Sequence, residues 1–97
     1  MDNIRSVSLK YHGHSPFKSA DAQGLICGAI ELAELMDAAK GGDTADYIIN
    51  QYVADRVAEE KQEGYDMDPA EYKAELSQIF VEIYEVSPAL YAQGGMG

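Results

Sequence analysis

The chain has 97 residues, 46% of them hydrophobic, with seven basic and 17 acidic side chains and a formal net charge of −10. That length is one domain, spanning 1–97, whose core is either simple or shared with a second copy. The charge disfavours nucleic acid, anionic membranes and acidic ligands as direct partners, since each would be repelled, and favours basic protein surfaces; the hydrophobic content is too high for a disordered acidic tail.

The acids are unevenly placed. Residues 1–20 carry Arg5, Lys10 and Lys18 against Asp2 alone, whereas from residue 21 onward Lys40, Arg56, Lys61 and Lys73 stand against the other sixteen acids. An acidic body with a mildly basic N-terminal edge is expected. A single cysteine, Cys27, rules out an internal disulfide framework and reads as a small buried hydrophobe. No charged-then-apolar signal pattern opens the chain and no apolar run is long enough to span a bilayer, so a cytoplasmic protein is expected.

The first predicted element is a strand over Ile4–Tyr11. Val7, Leu9 and Tyr11 alternate there with Ser6, Ser8 and Lys10. A lone strand leaves its backbone groups unpaired, so it needs either a second copy across a dimer axis or the β-rich run Ile79–Val86. His12–Lys18 reads as a loop by its Gly and Pro content. The H-x-H pair of His12 and His14 lacks a third ligand fixed by spacing, so no metal is expected.

A helix follows from about Ala20 to Lys40, capped by Ser19 and ended by Gly41 and Gly42. Its apolar face holds Ala22, Leu25, Ile26, Ala29, Ile30, Ala33 and Met36. Gly24 and Gly28 lie one turn apart within it. They suggest close packing against another backbone, because the segment lacks the setting and the lysine of a phosphate loop. Thr44 or Asp43 caps a second helix reaching about Gln62, with Ala45, Ile48, Ile49, Tyr52, Val53 and Val57 inward and Asp46, Asp55, Glu59, Glu60 and Glu63 outward.

The most legible stretch is Asp68–Val86. Asp68 is a good N-cap, Pro69 suits the first helical position, and Glu71 completes a capping box. Tyr72, Leu76, Ile79, Phe80 and Ile83 form an apolar stripe, while Glu71, Glu75, Gln78, Glu82 and Glu85 form a second, polar one. That clean partition favours helix over strand for 79–86. Ser87-Pro88 repeats the cap-plus-proline signal for a short helix, Pro88–Gln93, and 94–97 should fray. The expected fold is mainly α with a minor β component: a compact bundle of about three helices plus an N-terminal strand.

Chemical motifs are few. Asp66-Met67-Asp68 lacks the glycine and closing glutamate of a calcium loop, and solvated carboxylate pairs do not supply the raised pKa that acid-base catalysis needs. The tyrosines suit core edges and interface anchors. No enzymatic activity and no cofactor are expected.

The acidic rows point instead to a partner. On a helix Glu71 to Glu75 rises ~6 Å and Glu75 to Glu82 ~10 Å, comparable with phosphate spacings along a nucleic-acid strand. A rigid acidic face of this kind fits a Lys/Arg groove built for a phosphate backbone. The candidate partner-binding residues are therefore Glu71, Glu75, Glu82 and Glu85, with Asp55, Glu59 and Glu63. In size, acidity and these rows the chain resembles the small acidic inhibitors carried by phages and other mobile elements, in particular anti-CRISPR proteins that mimic DNA. The resemblance implies a non-enzymatic inhibitor, acting in the host-cell cytoplasm, that binds a CRISPR surveillance complex or Cas nuclease and blocks DNA binding or cleavage. The alternative is a small helical regulatory or assembly subunit, as a monomer or a homodimer joined through the strand.

Overall fold

The local signal at Asp68-Pro69 starts a helix as expected. The Asp68 carboxylate accepts the backbone N–H of Ala70 at 3.0 Å, and Pro69 opens the helix. The structure, a computed structural model, describes residues 3–40 and 42–94. Among the described residues five helices follow one another: α1 (Ile4–Lys10), α2 (Ala22–Ala39), α3 (Ala45–Gln62), α4 (Pro69–Tyr84) and α5 (Pro88–Gly94). Helices α2 and α4 pack most extensively on each other and each touches all the rest; α1 rests on these two alone.

The core follows the periodicities. From α4, Leu76, Ile79, Phe80 and Ile83 are fully buried; from α2, Leu25, Ala29 and Leu32 are as well. Residues 79–84 are therefore helical, and the strand alternative for 79–86 falls away. Its composition suits a strand, but only a helix puts Ile79, Phe80 and Ile83 inside together while Val81 faces out. Phe80 anchors an aromatic cluster, with ring centroids 4.8 Å from Tyr84 and 5.4 Å from Tyr91.

The expected N-terminal strand is overturned. Residues 4–10 are helix α1, and the described residues contain no strand, so the fold is all-helical and the strand-joined homodimer falls with it. The segment satisfies two periods at once. Val7, Leu9 and Tyr11 alternate, yet Ile4, Val7 and Tyr11 also share one helical face. Leu9 separates the two: it is 69% exposed, whereas Val7 and Tyr11 are buried and Ile4 packs against the core. A helix satisfies its own backbone groups where no second strand is present to do so. Docking of the Asn3 N–H on the Ile83 carbonyl, at 3.1 Å, fixes its start.

Several boundaries move. Helix α2 is capped by Asp21, which accepts the Gly24 N–H at 2.7 Å, and not by Ser19. It closes at Lys40, which adopts φ 51° in the left-handed region; the expected stop at Gly41 lies outside the described residues. Thr44 caps α3 as expected, accepting the Tyr47 N–H at 3.1 Å. Helix α4 stops at Tyr84, with Glu85 left-handed at φ 61°. Gly94 still belongs to α5, and 95–97, where fraying is expected, lie outside the described residues. Gly28 is a packing glycine: a Cβ there would come within 3.1 Å of Leu76 Cδ1 and 3.2 Å of Tyr72 Oη, so side chains, not a backbone, fill the space. Gly24 is exposed and meets chiefly the carboxylate that caps its own helix.

Candidate protein-binding surface

The α4 carboxylates share one face, as their spacing requires, but the N-terminal segment engages that face. The chain N-terminal to α2 runs along it in the opposite direction. Glu75 accepts the backbone N–H groups of Lys18 and Ser19, each at 3.0 Å, and the Ser19 hydroxyl. Ser19 is buried, so this carboxylate satisfies polar groups that would otherwise be stranded away from water. Two turns on, Glu82 accepts from Lys10 Nζ at 2.9 Å and from Tyr11 Oη at 2.8 Å. Glu85 accepts from Asn3 Nδ2 at 2.8 Å. Three of the four predicted α4 contact residues are thus a clasp on residues 3–19. Glu71 is half-buried, and no hydrogen bond to another described residue engages its side chain.

Electrostatics agree with the geometry. Partial burial would by itself raise the Glu75 carboxyl, but the hydrogen bonds from Lys18 and Ser19 outweigh it and hold the group below the ordinary carboxylate value. Glu82 is likewise lowered, since Lys10, Tyr11 and Gln78 together outweigh its desolvation.

The α3 acids behave differently. Asp55 and Glu63 are exposed and pair with no other described residue, while Glu59 forms an open pair with Arg56 at 3.0 Å with its side chain still 65% exposed. The outward face of α2 adds Glu34 and Asp37, and the turn before α3 adds Asp43, all exposed. Cys27 also lies on this outward face and is exposed, against the buried position expected for it. Its neighbours on the helix surface, Gln23, Glu31 and Glu34, are polar, which the apolar pattern of residues 25–33 concealed.

Between α2 and α3 lies a groove of about 400 Å³. Leu35, Ala38, Tyr47 and Ile48 give it an apolar lining, and Asp43 and Asp55 line it as well. Just behind it Tyr52 Oη donates to Glu31 Oε1 at 2.7 Å, joining the two helices. The Tyr52 and Tyr72 hydroxyls converge on Gly28, and burial is the largest cause pushing both phenols up. Tyrosine spacing alone carries no sign of this junction. The missing side chain of Gly28 is the feature that makes room for it.

His12 and His14 are exposed after α1, and among the described residues no group of three potential metal ligands occurs. No described helix is long and apolar enough to cross a membrane. The chain matches no protein-family model, no curated protein and no solved structure. The surface on the α2–α3 side is acidic and partly apolar.

Proposed function

We propose that this protein is a cytoplasmic, non-enzymatic inhibitor that occupies the phosphate-binding groove of a basic nucleic-acid-binding protein, such as a CRISPR-Cas surveillance complex. The observation that supports this reading is the exposed carboxylate set of the α2–α3 side, Glu34, Asp37, Asp43, Asp55, Glu59 and Glu63, of which only Glu59 is paired with another described residue. These acids stand ready for a cationic partner, in a chain whose net charge of −10 steers such encounters. The proposed contact surface is therefore Asp55, Glu59 and Glu63 with the α2 acids. Glu75, Glu82 and Glu85 act within the molecule.

The test is competition between this protein and labelled target DNA on the isolated partner, repeated across salt concentrations. Inhibition should weaken steeply with salt, because charge pairs and counterion release carry the binding. A variant combining Asp55→Asn, Glu59→Gln and Glu63→Gln should keep its melting temperature and lose inhibition. Simultaneous binding of protein and DNA, or unchanged inhibition by that variant, would sink the reading and put the regulatory-subunit alternative first.

A further inference from the structure

The acidic surface is not uniformly polar. Leu35 is 47% exposed and Tyr47 is 53% exposed, and the two flank the same groove between α2 and α3. Large apolar side chains scattered singly need no explanation, but two bracketing one concave site form a patch. Ala38, which is exposed, and Ile48, which is buried, add apolar lining to the same groove. Asp43 and Asp55 line the same groove, and no lysine or arginine is among its described lining residues. Glu31 and Glu34 lie one turn before Leu35 and Ala38 on α2, which extends the negative border.

We infer that this groove receives an apolar side chain carried on a basic amphipathic helix of the partner, with the helix's arginines and lysines meeting Asp43, Asp55 and the α2 acids. The inference rests on the acidic-face reading and adds to it an anchor and a register. Charge selects the occupant. A second copy of this chain would bring its own acids against these acids, and an acidic peptide would be repelled, whereas a basic helix is attracted over its whole length. Shape selects the anchor. A helix laid into a groove presents apolar residues at three- and four-residue steps, and tyrosine is among the side chains that dominate such contacts. Bare phosphate mimicry needs no apolar centre, so Leu35 and Tyr47 have a purpose here that charge alone does not give them.

The experiment titrates the intact protein with a capped, alanine-based helical peptide carrying a leucine stripe flanked by arginines, followed by backbone amide and methyl NMR. The control peptide has alanine in place of every leucine. The largest shifts are expected at Leu35, Ala38, Tyr47 and Ile48, and the control should bind about tenfold more weakly, as should Leu35→Ala or Tyr47→Ala with the parent peptide. Both positions are exposed, so these variants should melt as the parent does. Asp43→Asn with Asp55→Asn should flatten the salt dependence. Shifts spread evenly over all acids, equal binding of the two peptides, no binding of either, or concentration-dependent broadening at Leu35 and Tyr47 in the free protein, which would seat a second copy there, would each overturn the inference. Groove binding by the peptide without DNA competition would sink only the inhibitor reading; DNA competition that ignores Leu35→Ala would sink only the groove.

Discussion

Two acidic rows that look alike in the sequence have opposite uses. Glu75, Glu82 and Glu85 on α4 and its C-cap hold the N-terminal segment, whereas Asp55, Glu59 and Glu63 on α3 and its C-cap stand in solvent. Helical spacing says that carboxylates share a face; it does not say what lies against that face. A row of acids is evidence for a partner only after the chain's own N–H groups, hydroxyls and lysines have been subtracted from it.

The contrast can be broken or sharpened by mutation. Phe80→Ala, on the side of α4 turned away from the clasp, should cost about 3–5 kcal/mol, because the ring is fully buried against Tyr84 and Tyr91. Chemical denaturation measures this, and an unchanged midpoint would remove α4 from the core. Next in size is Glu75→Ala, which strands the buried Ser19 hydroxyl and two backbone donors and should cost roughly 1–3 kcal/mol. A loss no greater than that of an exposed acid would erase the distinction between the rows.

Acid should separate the two rows further. Glu75 and Glu82 have lowered carboxyl pKa values in the folded protein, so their contribution is fully present above the ordinary carboxylate value and disappears as pH falls through the lowered one. Thermal melts from neutral pH to below the carboxylate range should show the parent losing more stability than a Glu75→Gln, Glu82→Gln double variant. Equal losses would mean that the clasp does not titrate. The smallest effect is expected for Asp55→Asn with Glu63→Gln, within about ±0.5 kcal/mol by the same melts.

How legible each part was follows from the range of the interactions. The start of α4 was readable because Asp68, Pro69 and Ala70 settle it among themselves. The inward faces of α2 and α3 were readable because a helical period says which residues are buried together. The N-terminal segment was not, since Ile4, Val7, Leu9 and Tyr11 fit both periods and only docking on Ile83 and Glu82 resolves them. Ser19 looked like a cap because its real partner, Glu75, is 56 residues away. For the same reason Asp55, Glu59 and Glu63 were identified correctly as outward acids, while Glu75 and Glu82 could not be told apart from them. Tyr47 shares with the other tyrosines the general reading of a core edge or interface anchor, but Leu35 carries no signal of its own, because the patch forms only when α2 and α3 lie side by side.

The clasp also sets an order of events during synthesis. Asn3 waits for Glu85, Lys10 for Glu82 and Lys18 for Glu75, separations of 82, 72 and 57 residues. Seven residues of α1 are far too few to hold a helix unaided in water. Residues 3–19 therefore cannot make these contacts until the helix that receives them has been made. Translation arrested before α4 would release a chain with Val7, Tyr11 and the inner face of α2 uncovered, a substrate for chaperones and proteases.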